Sequence, residues 1–182
     1  QCSCASLSIR SIKFVNIQQG KFITLEGSEG VGKTTNVDSV CQTLDDLSIP
    51  YVRTREPGGT PMAETLRENM LAEWDESVNG LTELFIAFAA RLQHVQGVIR
   101  PALVSGKWVV CDRFTDASYA YQGYGRGLDL EKIAVLEEWV HGDMQPDLTL
   151  YLDLARVASI LSITLILSKK CAPNSLRAQV SP

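Results

Sequence analysis

Residues 27–34 read Gly27-Ser28-Glu29-Gly30-Val31-Gly32-Lys33-Thr34, which fits the pattern G-x-x-x-x-G-K-[ST]. A short β-rich run, Lys21 to Glu26 (KFITLE), precedes them, and after Lys33 the apolar residues Val37, Val40, Cys41, Leu44 and Leu47 recur at helical spacing. Strand, glycine-rich turn and helix in that order are the context in which this pattern has a physical meaning. Glycines let the backbone curl until successive N–H groups point inward at phosphate oxygens, and the following helix adds unpaired donors and a positive dipole end. Lys33 is then placed to neutralise β- and γ-phosphate charge, and the Thr34 hydroxyl to ligate Mg²⁺.

Working outward, Ser48 to Pro50 ends the first helix and Tyr51 to Thr54 reads as a second strand. Glu56 to Pro61 (EPGGTP) holds two prolines and two glycines and must be a loop. A helix is expected from about Met62 to Glu73, and a long helical stretch from Leu81 to Leu103 that Pro101 would kink or end. Trp108 to Cys111 (WVVC) is a compact apolar strand, Glu131 to His141 a helix, and Leu148 to Leu152 another strand. Strands alternating with helices predict a parallel sheet covered on both faces. Asp112 closes the WVVC strand in the manner of a Walker-B carboxylate and would hold Mg²⁺, through water, beside Thr34. An Asp after a strand is common, so that assignment draws its weight from the phosphate loop.

At 182 residues the chain is long enough for one substantial core and short for two. Its net charge of -4 provides no basic field to recruit nucleic acid, so an anion must be held by a local site. The cysteines Cys2, Cys4, Cys41, Cys111 and Cys171 form no zinc pattern; Cys41 and Cys111 read as core residues in a reducing compartment. Val157 to Leu167 is too short to span a bilayer as a helix, and with no signal-peptide pattern the expected location is cytoplasmic. A GTPase would need N-K-x-D and D-x-x-G motifs, which do not occur, and larger ATPases need a longer chain. What fits is a kinase for a small acceptor.

Four stretches, in order, resemble the signatures of the thymidylate kinase family, bacterial type. They are FITLEGSEGVGKTT ending at Thr35, TREPGGT (Thr54 to Thr60), DRFTDASYAYQGYGRG (Asp112 to Gly127) and PDLTLYLD (Pro146 to Asp153). The resemblance implies an α/β fold of the P-loop nucleoside monophosphate kinase type and transfer of the γ-phosphoryl of MgATP to dTMP, giving dTDP. Gly27 to Thr35 would bind ATP, with Lys33, Asp112 and Arg113 as the catalytic set and Thr34 and Asp112 on the metal. Arg113 and Arg67 would grip the acceptor phosphate; a surface salt bridge is the alternative for each. Arg91 would read a thymine carbonyl, with Ser118 and Gln122 on the base edge and Tyr121 against the deoxyribose. The plainer alternatives are a capping Ser, a solvated Gln and a core Tyr. Glu56 and Pro57 would shape the acceptor pocket. Where many members carry a base-stacking Phe, this chain has Ala87, with Phe88 beside it; Phe88 either swings in or belongs to the core. The family is usually dimeric, and the long helix Leu81 to Leu103 could serve as the interface; its apolar face could equally be core.

The resemblance divides the chain into a leader (1–20), expected to be flexible or foreign, a kinase domain (21–154) and an atypical segment (155–182). That last segment contains neither the expected Arg-rich lid nor the final strand and helix. It reads as a frameshifted or foreign terminus and would leave an apolar sheet edge open. In members with an acidic phosphate-loop residue, as Glu29 is here, the lid supplies a catalytic Arg; Arg156, Lys169, Lys170 and Arg177 are the available stand-ins. The rival expectations are a nucleotide-binding remnant without turnover, or a kinase for another nucleoside monophosphate.

Overall fold

The computed structural model describes residues 20–154, 161–167 and 178–180. The leader up to residue 19, Cys2, Cys4 and Cys171, and the lid stand-ins Arg156, Lys169, Lys170 and Arg177 lie outside the described residues. Gly20, grouped with the leader by the sequence, is buried against Lys107.

Strand β1 (Phe22–Gly27) is the centre of the sheet. It pairs in parallel with β3 (Trp108–Asp112) on one side and β4 (Leu148–Leu154) on the other, and β2 (Tyr51–Arg55) adds to β3, also in parallel. Alternation along β1 sets the layers. Ile23 and Leu25 point to one face and pack with Val37, Cys41 and Leu44 of α1 (Lys33–Asp46). Phe22 points to the other and packs with Val95, Ile99 and Ala102. These come from the long helical stretch, which runs as α3 (Gly80–His94), a π-helical turn (Val95–Ile99) and α4 (Arg100–Val104). Pro101 therefore neither ends nor simply kinks the helix. It is the second residue of α4, directly after the π turn, where the regular ladder of helical hydrogen bonds is already interrupted.

Helix starts follow local chemistry. Thr60 caps α2 (Pro61–Leu71) by accepting from Ala63 N at 3.2 Å, with Pro61 as the first helical residue. Asn79 caps α3 and Asp129 caps α6 (Leu130–Val140) in the same way. Helix α1 has no side-chain cap: Gly32 precedes it at φ 82, a left-handed conformation suited to glycine, leaving the first-turn amides for another acceptor. A third core joins α3 to α6 through Leu84, Phe88, Ile133 and Val140.

The sheet order is β2-β3-β1-β4-β5-β6, and its last two members depart from the expected parallel sheet with an open edge. Strand β5 (Leu161–Leu167) runs antiparallel along the whole of β4, and β6 (Ala178–Val180) antiparallel along β5. The chain between Leu154 and Leu161 is too short for the crossover that a parallel neighbour requires, so antiparallel pairing is the geometry open to it.

Candidate active site

The carboxyl ends of β1, β2 and β3 deliver the phosphate loop, the Glu56–Pro57 turn (a cis peptide) and Asp112–Arg113 to one edge of the sheet. A parallel sheet opens its ligand crevice at this edge. A cleft of about 510 Å³ lies there, with Glu29, Asp112, Arg113, Arg91, Ser118 and Gln122 among the residues that line it.

Around the phosphate loop, Gly30 and Gly32 have φ 78 and 82, and an added Cβ at Gly30 would meet only open space. The curl is thus required by backbone conformation rather than by crowding. Lys33 Nζ donates to Gly27 O at 3.0 Å and Ser28 O at 2.6 Å, which folds the ammonium over the loop. Partial burial, then Arg113, lowers its pKa from the ordinary lysine value. Thr34 and Asp112 both face a neighbouring cavity of about 520 Å³. Asp112 Oδ1 is buried without a hydrogen-bond partner among the described residues. An orphaned carboxylate oxygen beside a threonine hydroxyl suits a hydrated divalent cation, so the donor set fits Mg²⁺.

Arg113 follows at φ 70, an uncommon conformation for a residue with a Cβ. Its guanidinium lies 5.2 Å from the ring centroid of Tyr121, which is 45% exposed, so Tyr121 is a cleft residue rather than core. Arg67 Nη1 donates to Pro57 O at 2.9 Å, tying α2 to the turn. Among the described residues neither Arg67 nor Arg113 forms an ion pair, and both line the cleft; the surface salt bridge is not what either makes here.

The cleft wall around Arg91 is held by a buried network. Arg91, 4% exposed, donates from Nε to Glu56 Oε2 at 2.6 Å, from Nη1 to Ser118 Oγ at 3.1 Å and from Nη2 to Phe114 O at 3.1 Å. Glu56 Oε1 meets His94 Nδ1 at 3.0 Å, and His94 Nε2 meets Thr54 Oγ1 at 2.6 Å. A carboxylate only accepts, so the proton of that contact sits on Nδ1. The His94 ring also explains Gly59, at φ 86, where any Cβ would collide with it. Ser118 ends α5 (Thr115–Ser118), which continues as a π turn (Tyr119–Gly125) carrying Tyr121 and Gln122. Ser118 and Gln122 therefore do not share a regular α-helical face, yet both are buried and both line the cleft.

Phe88 does not swing in. It is 2% exposed in the α3–α6 core, and Ala87 occupies the cleft wall. Phe88 instead backs Arg91, whose guanidinium lies 4.6 Å from its ring centroid.

Sequence reasoning missed three groups. Glu26 is a buried acid whose Oε1 accepts from Phe114 N at 2.7 Å; burial, then Asp116, pushes its pKa up to about 7. Its signal was an acid in a β-rich run, directly before the glycine-rich turn. His94 stands three residues after Arg91 on the same face of α3, a helical spacing that could have paired them. Arg126 and Glu83, which line the cleft, form a two-bond pair that no local pattern announces.

The fold and the phosphate loop are those of the P-loop nucleoside monophosphate kinases. The thymidylate kinase family model matches residues 25–160. The chain is 60% identical over 135 residues to a thymidylate kinase of Pseudomonas fluorescens (strain Pf0-1), covering 74% of this chain and 64% of that protein. A thymidylate kinase of Teredinibacter turnerae is 56% identical over 135 residues, with 66% of it covered. The crystal structure of thymidylate kinase from Ehrlichia chaffeensis superposes with a TM-score of 0.70 at 38% identity, covering 75% of this chain and 77% of that one. The chain belongs to the thymidylate kinase family. It spans just under two thirds of the length of the Pseudomonas relative.

Proposed function

We propose that this chain binds MgATP and dTMP in one cleft and transfers the γ-phosphoryl of ATP to the dTMP phosphate, giving dTDP. The observation that supports it is the meeting, at the carboxyl ends of β1 and β3, of the glycine-rich loop with a cleft lined by Arg67, Arg91, Arg113, Ser118 and Gln122. The amides of Gly27 to Thr35, with Lys33, would hold the triphosphate; Thr34 and Asp112 would hold Mg²⁺, which supplies charge neutralisation at the transferred group. Arg113 and Arg67 would draw the acceptor phosphate toward the donor, and no strong base is required because that phosphate is already anionic. Arg91, with two guanidinium protons beyond those in its three hydrogen bonds, and Ser118 and Gln122 would meet the base edge. Tyr121, Glu56 and Pro57 would shape the sugar side.

Among the described residues no helix is long and apolar enough to cross a membrane. Free, buried Cys41 and Cys111 support a reducing, cytoplasmic setting. A homodimer is part of the same proposal: α3 exposes Phe85 and Leu92, and α6 exposes Val135 and Trp139.

The test is ADP release from MgATP by the purified chain with dTMP, dUMP, dCMP, AMP or no acceptor. The expected result is turnover that depends on dTMP. Preference for another acceptor would overturn the thymidylate assignment. Folded protein that binds both nucleotides without turnover would mark a remnant that binds and does not transfer.

A further inference from the structure

We propose that Glu26 is a positioning residue for Arg113: its carboxyl holds the peptide that follows Arg113 and so aims the guanidinium into the cleft. The inference rests on Arg113 as the acceptor-phosphate grip. It starts from backbone strain. Arg113 sits at φ 70, and a residue with a Cβ stays there only when its surroundings over-determine it. The restraints come from both sides. Arg113 N donates to Leu25 O at 2.9 Å, and the Cys111 thiol donates to Arg113 O at 3.0 Å. The next N–H, on Phe114, donates to Glu26 Oε1 at 2.7 Å, a contact between residues 88 apart in sequence, and Phe114 O is held by Arg91. Adjacent residues of β1 thus clamp both ends of the Arg113 link, one by a main-chain carbonyl and one by a side chain.

Glu26 is 5% exposed and is not among the cleft-lining residues, so it acts through the loop rather than on a ligand. An apolar residue would suit this buried position better by burial alone, since desolvation penalises the carboxylate there. What an apolar residue lacks is an acceptor for the Phe114 N–H. Ionised or protonated, a carboxyl keeps an oxygen able to accept, and a glutamine amide does too.

The experiment uses the full chain with Glu26→Ala, Glu26→Gln, Arg113→Ala and the Glu26→Ala/Arg113→Ala double variant. Affinities for dTMP and MgATP are measured by calorimetry, and amide exchange of the peptide spanning 113–118 by mass spectrometry without ligand. Glu26→Ala is expected to weaken dTMP binding about tenfold, the effect of losing one buried hydrogen bond. MgATP affinity should stay within about threefold, since the Glu26 hydrogen bond runs to Phe114 N and not to the glycine-rich loop. Exchange at 113–118 should quicken, Glu26→Gln should recover both properties, and adding Glu26→Ala to Arg113→Ala should weaken dTMP no further. Equal loss of both ligands, unchanged exchange, or a Gln variant no better than Ala would overturn the proposal. If Glu26→Ala does not fold, Glu26→Met keeps the bulk without the acceptor and carries the same expectations. If the wild-type chain binds no dTMP, the reading of Arg113 as its phosphate grip falls, and the exchange comparison still decides whether Glu26 holds the loop.

Discussion

Along the glycine-rich loop the groups on offer are main-chain amides, supplied by one unbroken run of sequence and shaped by Gly30 and Gly32 at positive φ. Around Arg91 they are side chains from separate elements: Glu56 after β2, Arg91 and His94 from α3, Ser118 from α5. The first region is exposed and tolerates water; the second is buried and relies on every partner being present. A loop built from backbone is insensitive to most side-chain changes. A buried ionic network is held by mutual satisfaction and fails as a unit.

Stability variants test that contrast most directly. Glu56→Ala leaves the Arg91 charge and the His94 Nδ1 proton buried without their acceptor, and should destabilise the fold by about 3–5 kcal/mol in urea unfolding. Glu29→Ala, at an exposed phosphate-loop position, should change it by less than about 0.5 kcal/mol. Similar values for the two would break the comparison.

Ligand variants come next. Lys33→Ala should lower kcat/KM about a thousandfold while sparing dTMP affinity, and Arg113→Ala should produce a similar loss while sparing ATP affinity. Matched losses of both ligands in either variant would mean that the two regions do not act as separate sites.

A pH series sharpens the comparison at the boundary between the two regions. Glu26 faces Asp116, Arg113, Arg91 and the Phe114 N–H, and its pKa rises from 4.5 to about 7 on folding. The unfolded chain therefore loses this proton first. Wild-type stability from this group should be intact below about pH 4.5, fall as pH rises toward about 7, and level off above it. Glu26→Gln lacks the titration. It should match wild type near pH 4.5 and exceed it above pH 7 by roughly 3 kcal/mol. Parallel stability curves for the two proteins would contradict the assigned shift.

The smallest effect is expected at the cleft rim. Arg126 is 55% exposed in its pair with Glu83, so Arg126→Ala should destabilise by less than about 1 kcal/mol in the same urea assay.

Legibility follows the same division. The phosphate loop, its flanking strand and helix, and the strand ending in Asp112 could be read from the chain because their determinants are local: glycine spacing, period, and a carboxylate closing an apolar run. Residues that line the cleft were also nameable, through the ordered motifs that resemble the family. Their partners were not. Nothing within reach of Phe88 announces that it backs Arg91 from the core instead of facing the cleft, or that Ala87 takes the wall. The π turns at Val95–Ile99 and Tyr119–Gly125 were equally invisible, since a π turn shifts register without changing the apolar count by much.

By itself the sequence marked the glycine-rich loop and the strands around it, because backbone curl, strand alternation and helical period are set by neighbours in the chain; the resemblance named the cations Arg67, Arg91 and Arg113. Only the tertiary structure decided how those cations are held. Glu26 reaching Phe114, Glu56 between Arg91 and His94, and β5 closing the edge of β4 are contacts between distant segments. Which of the possible pairings forms depends on burial and polar satisfaction across the whole fold.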